Sequence, residues 1–131
     1  MSIELPQQTK DLLDAATLVT MSTINKDGSP HSTIVWAKRD GDDVLVSTIV
    51  GRVKERNMRR DPRISVVIPD PADALTYYSV NGTVSMTTDG GPELIEELSQ
   101  KFGGVTFTAD LGTDRVRLVV RLTPERIIIH T

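Results

Sequence analysis

The chain has 131 residues, a formal charge of -3, no cysteine and two histidines. That length suits one compact domain, residues 1–131, with a modest core. The missing cysteines exclude disulfides, iron–sulfur clusters, thiol nucleophiles and thiolate metal sites. His31 and His130 stand far apart and form no HExxH spacing, so no metal site on imidazoles is expected. The N-terminal MSIELPQQTKDLL lacks an apolar run of signal-peptide length, and no window approaches the ~20 apolar residues of a membrane span. A cytoplasmic protein with no membrane partner is the expectation.

In chain order, Pro6 suits the first position of a helix, and Leu5, Leu12, Leu13 and Ala16 give it one apolar face, which predicts a short helix over about 6–16. From Leu18 the texture becomes β-branched: LVTMSTI, HSTIVWAK and VLVSTIV read as three strands, with KDGS and DGD as the turns of two hairpins. VKERNMRR has good helix formers and ends at Asp61-Pro62, where the proline biases its predecessor away from helix. ISVVIP follows as a strand. LTYYSVNGTVSMT alternates with Tyr78, Val80, Gly82 and Val84 on one face, and Gly82 marks a bend or bulge. Gly91-Pro92-Glu93 opens a last helix with Leu94, Ile95, Leu98 and Phe102 inward, stopped by Gly103-Gly104. RVRLVVRL and ERIIIHT complete the list as two strands. With no βαβ regularity, these elements predict an antiparallel sheet closing toward a barrel, with helices at its ends.

GxGxxG, GxxxxGK[ST] and GxSxG are all absent, which removes the common phosphate loops and the nucleophile elbow. One stretch stands out. GRVKERNMRRDPR, residues 51–63, holds six of the fifteen Lys and Arg residues, leaving the other 118 positions with nine positive charges against sixteen negative. A local basic patch on an acidic chain suits a small anionic ligand better than nucleic acid, and five aromatic residues are few for base stacking. On a helix Arg52, Arg56, Arg59, Arg60 and Arg63 form one stripe, either solvated surface or a binding track, while Lys54 lies about 200° round from Arg52. Arg52 and Lys54 stand in the first turn, where free N–H groups and the helix dipole favour an anion. Ser47 and Thr48, at the end of the preceding strand, add hydroxyl donors to a phosphate cradle.

The path GSPHSTIVW, VLVSTIVGRVKERNMRRDPRISVVI and VRLTPERI resembles the pyridoxamine-phosphate-oxidase-like proteins, and within them the small oxidoreductases that use the deazaflavin coenzyme F-420. The resemblance is weakest at residues 1–16 and 87–113. It implies a mainly β fold, the FMN-binding split β-barrel of Greek-key antiparallel strands with peripheral helices. It also implies a homodimer with a cofactor groove between protomers. The implied activity is hydride transfer between reduced coenzyme F-420, with FMN as the alternative cofactor, and a small conjugated substrate. A second alternative is non-catalytic binding of a flavin, deazaflavin or haem. By the same resemblance Arg52, Lys54 and Asn57 hold the cofactor phosphate with Ser47 and Thr48 nearby, Ser32, Thr33, Val35 and Trp36 run beside the ring, and Arg56 belongs to the cofactor site. In the oxidase that gives the superfamily its name the Arg and Lys are adjacent; here Val53 separates them, which disfavours vitamin oxidation. Tyr77, Tyr78, His31 and bulk water are the proton sources weighed, and no catalytic dyad is evident.

Overall fold

The computed structural model describes residues 2–131. It is mainly β: seven antiparallel strands and three helices, in the order α1 (Gln7–Asp14), β1 (Val19–Ile24), β2 (Pro30–Val35), β3 (Ala37–Asp40), β4 (Asp43–Ile49), α2 (Val53–Arg60), β5 (Arg63–Asp70), β6 (Asp73–Thr87), α3 (Gly91–Gly103) and β7 (Arg117–His130). All strands join one sheet in the order β2-β1-β5-β6-β7-β4-β3.

That order explains the curvature. β2 and β3 are the two edges of the sheet, yet only Trp36 separates them in the chain. The sheet must therefore roll until its edges meet at Trp36, and Val35 and Ala37, on either side, are both buried in the main core. The long HSTIVWAK strand expected from sequence is broken here into two, which serve opposite edges.

The interior of the roll is filled by Val19, Met21, Val44, Val46, Val66, Ile68, Val80, Val120 and Leu122, residues that alternate along their strands. α1 closes one opening by burying Leu13 in that core, with Leu5 just ahead of the helix, while Ala16 is exposed and outside the buried face. β7 is buried on two sides, because Val120 points into the roll and Val119 packs outward against Leu94 and Leu98 of α3. Burying a side chain of Leu98's size contributes about 1.5–3 kcal/mol, which makes this second cluster enough to hold α3 on the sheet.

The two final strands expected from sequence are one. β7 passes through Pro124, which faces Gly82 where the β6–β7 register shifts between Asn81 and Gly82. A Cβ on Gly82 would stand 2.0 Å from the Thr123 carbonyl oxygen, so only glycine permits the strands to approach this closely. Among the described residues no helix is long and apolar enough to cross a membrane.

Candidate functional site

β4 delivers the chain to the site. Ser47 and Thr48 pair with Val119 and Leu118 just before the last pair of the strand, Ile49 with Arg117, and the chain then turns through Gly51 at φ +95, a conformation that glycine adopts without strain. α2 begins immediately after. Arg52 takes the N-cap position but gives no side-chain cap, so the first-turn N–H groups have no side-chain acceptor. Glu55 is buried and reaches back, accepting the Gly51 N–H at 2.7 Å and the Arg59 Nε–H at 2.8 Å. This fixes the approach of the chain to the helix while leaving the helix N-terminus open.

Around that open end lies a small cavity of about 130 Å³ lined by Ser47, Thr48, Ile49, Arg52, Lys54 and Arg117. Four of the expected phosphate residues are thus brought together. Lys54 is half-buried and donates from Nζ to Thr33 Oγ1 at 3.1 Å. Burial, and then the positive charge of Arg52, hold its pKa below the ordinary lysine value.

The other expected residues lie apart from this cavity. Asn57 is buried and donates both amide hydrogens, to Thr23 Oγ1 at 3.0 Å and Asn25 Oδ1 at 2.8 Å, so it seats α2 on the β1–β2 hairpin. Ser32 faces outward with its hydroxyl 2.7 Å from that of Ser22. Thr33 is the member of the β2 segment that reaches the cavity's edge, through Lys54. Val35 is core, and Trp36 stacks on Phe102 at 5.5 Å in the cluster beneath α3. Arg56 is exposed on α2 outside the lining.

The arginine stripe is largely engaged within the chain. Arg59 pairs with Glu55, Arg63 pairs with Asp61 at 2.7 Å, and Arg60 donates to the Ile24 carbonyl at 3.2 Å. Tyr78 is a core side chain, Tyr77 stacks on His130 at 4.6 Å, and His31 lies on β2 opposite Thr23; none lines the cavity.

Arg117 is the lining residue that the sequence pattern did not single out. It opens β7 and its guanidinium is gripped by Asp110, Nε to Oδ2 at 2.7 Å and Nη2 to Oδ1 at 3.2 Å, over the Phe107 ring at 4.8 Å. Arg117 in turn holds the Asp110 carboxyl below its ordinary pKa. The RVR alternation was the available signal, and it reads equally well as solvent-facing polarity. A larger groove of about 530 Å³ lies elsewhere, bordered by Ser22, Ser65, Asn81 and Arg126, and shares no residue with the cradle.

The sequence matches the pyridoxamine 5'-phosphate oxidase family over residues 5–131. The chain belongs to that family. Among solved structures, an F-420 reductase superposes with a TM-score of 0.83 at 21% identity, over 95% of this chain and 98% of that one. A conserved hypothetical protein from Mycobacterium tuberculosis gives 0.75 at 23% identity, over 98% and 86%. Group A Streptococcus HupZ gives 0.70 at 20% identity, over 95% and 93%. At these identities the likeness establishes the fold, and the family's split-barrel architecture is the one described above.

Proposed function

We propose that this protein is an oxidoreductase that binds coenzyme F-420 and transfers a hydride between the reduced coenzyme and a small conjugated substrate. The observation that carries this reading is the convergence of Arg52, Lys54, Ser47 and Thr48 at an uncapped helix start, a donor set that suits a phosphate group. The likeness to an F-420 reductase over nearly the whole chain supports the choice of cofactor. When bound, a deazaflavin supplies two-electron hydride chemistry, and the protein's part is binding, orientation and exclusion of water.

Arg52 and Lys54 provide charge-assisted hydrogen bonds to the phosphate, and Ser47 and Thr48 add neutral donors. Asn57 takes part by fixing the helix that carries Lys54. Beyond the cradle, Arg56, Arg59, Arg60 and Arg63 form the track for an acidic tail. The Arg63–Asp61 pair lies at the surface, where solvent screens it, so a stronger anion can recruit Arg63, whereas Arg59 is held by the buried Glu55 carboxylate and reaches the tail only with its outer nitrogens. The reading includes a homodimer, in keeping with the exposed apolar side chains of Leu75 on β6 and of Ile128 and Ile129 on β7.

FMN is the second reading, and the same arginine pairs favour it, because FMN has no tail to occupy the stripe. Titration of the purified protein with F-420 and with FMN, followed by the fluorescence of each ligand, separates the two. Saturable binding of F-420, weakened by Arg63→Ala, is the expected result. Tight binding of FMN alone would overturn the F-420 reading, and turnover of reduced F-420 with a panel of quinones and other conjugated acceptors then identifies the substrate class.

A further inference from the structure

We propose that Arg117 is a third cationic ligand of the phosphate cradle and that Asp110 is the positioning residue that aims it. The inference rests on the phosphate reading above and adds to it a residue from the far end of the chain, outside the basic stretch.

The geometry separates the two edges of one guanidinium. Asp110 occupies Nε and Nη2 in a bidentate grip, and the remaining nitrogen, Nη1, points to Ser47 Oγ at 3.4 Å, on the cavity side. Ser47 is a lining residue of the cradle, so the edge of Arg117 that Asp110 does not hold, engaged only by this long hydrogen bond, faces the space that Arg52 and Lys54 also line. The Phe107 ring under the guanidinium carbon and a side-chain exposure of 13% leave the group little freedom to turn. A guanidinium held flat on a ring and clamped along one edge is a pre-organised donor, since most of the rotamer entropy that binding would cost is already lost.

The bland alternative is that Asp110–Arg117 is only a brace that fastens the 104–116 loop to β7. The two differ in what the Asp110 charge does. As a brace or a plain counter-charge, the Asp110 carboxylate weakens anion binding nearby, and neutralising it should help. As an aiming device, its loss releases the guanidinium and should hurt.

The test measures FMN against riboflavin, and F-420 against phosphate-free 8-hydroxy-5-deazariboflavin, by ligand fluorescence on the full chain. The affinity ratio within each pair reports the contribution of the phosphate-bearing part. Arg117→Met is expected to lower the ratio by about tenfold or more, while binding of the phosphate-free chromophore stays intact and certifies the fold. Arg117→Lys is expected to fall between, keeping charge without the fork. Asp110→Asn is expected to lower the ratio as well, despite the added positive charge. A Lys54→Ala control that lowers the ratio while Arg117→Met does not overturns this inference and leaves the cradle reading standing. Equal loss of both ligands in Arg117→Met marks a brace and also overturns it. A rise in Asp110→Asn overturns the aiming role. An unchanged ratio in Lys54→Ala, or no binding of either chromophore pair, removes the cradle reading and this inference with it.

Discussion

Lys54 gives its ammonium to the Thr33 hydroxyl at 3.1 Å, and the charges that shape its pKa include no carboxylate. A half-buried cation without a counter-charge costs stability in the empty protein, because desolvation is not repaid by any ion pair. We expect Lys54→Met, which keeps the length of the side chain, to raise the thermal midpoint of the ligand-free protein and to abolish its preference for FMN over riboflavin. Thermal denaturation with and without ligand checks both halves. A midpoint that falls instead would make Lys54 a structural residue.

The same lysine sets a pH dependence. Its pKa lies below the ordinary value of 10.5, through burial first and the Arg52 charge second. Phosphate affinity is therefore expected to decline as pH rises through that lowered value, sooner than a surface lysine would allow, and ligand binding in that range should take up protons. Titrations at successive pH values in buffers of different ionisation enthalpy measure both. An affinity constant up to pH ~10 would contradict the assignment.

Glu55 predicts the response to acid. Its carboxylate is hydrogen-bonded by Arg59 and by the Gly51 N–H, and these hold its pKa below the ordinary 4.5. A carboxyl whose folded pKa is depressed contributes stability that is complete above the unfolded value and disappears as pH falls through the folded one. Asp14 and Asp110, each held down by an arginine, act in the same sense, and Asp61 beside Arg63 is lowered to about 2. Urea denaturation midpoints should therefore be highest near neutrality and fall below the ordinary carboxylate range. Glu55→Gln should lose about 1–2 kcal/mol at pH 7 and respond less steeply to acid than the parent.

Thr9 offers the opposite experiment. It is fully buried in α1 and its hydroxyl has no hydrogen-bond partner. An unpaired buried hydroxyl costs about 1–3 kcal/mol, so Thr9→Val, which keeps the shape, should stabilise the protein by about 1 kcal/mol. The lower helix propensity of a β-branched residue is present in both and cancels. A destabilised Val variant would mean the hydroxyl has an acceptor in solution.

The strands were legible because they read as β-branched runs between turn residues, with period-two alternation clearest in β1, β5 and the middle of β6, and that texture survives any tertiary arrangement. Their ends were less so. Nothing at Trp36 announces a break, since no glycine or proline is there and the backbone simply leaves one edge for the other. Pro124 misleads in the reverse direction: a proline argues against a strand interior, but here it faces Gly82 at a register shift. At the candidate cradle, the grouping of Arg52 and Lys54 was readable from their place after a strand and a glycine. That Asn57 has spent both amide hydrogens on Thr23 and Asn25 depends on a hairpin more than thirty residues away, and spacing cannot show it. Arg117 was hidden for a similar reason, because its partner Asp110 sits in a loop without periodicity.

The seam at Trp36 imposes a parity rule. Val35 and Ala37 both point inward, so the odd-in, even-out count of side chains continues unbroken from one edge of the sheet to the other. One residue inserted between them would invert that count for one edge only. If β2 took the error, Thr33 would turn away from Lys54; if β3 took it, Lys38 would face the interior. The turn at 26–29 is exposed at every position and can lengthen without either consequence. The seam, where the barrel has no loop at all, is thus where its length is least negotiable.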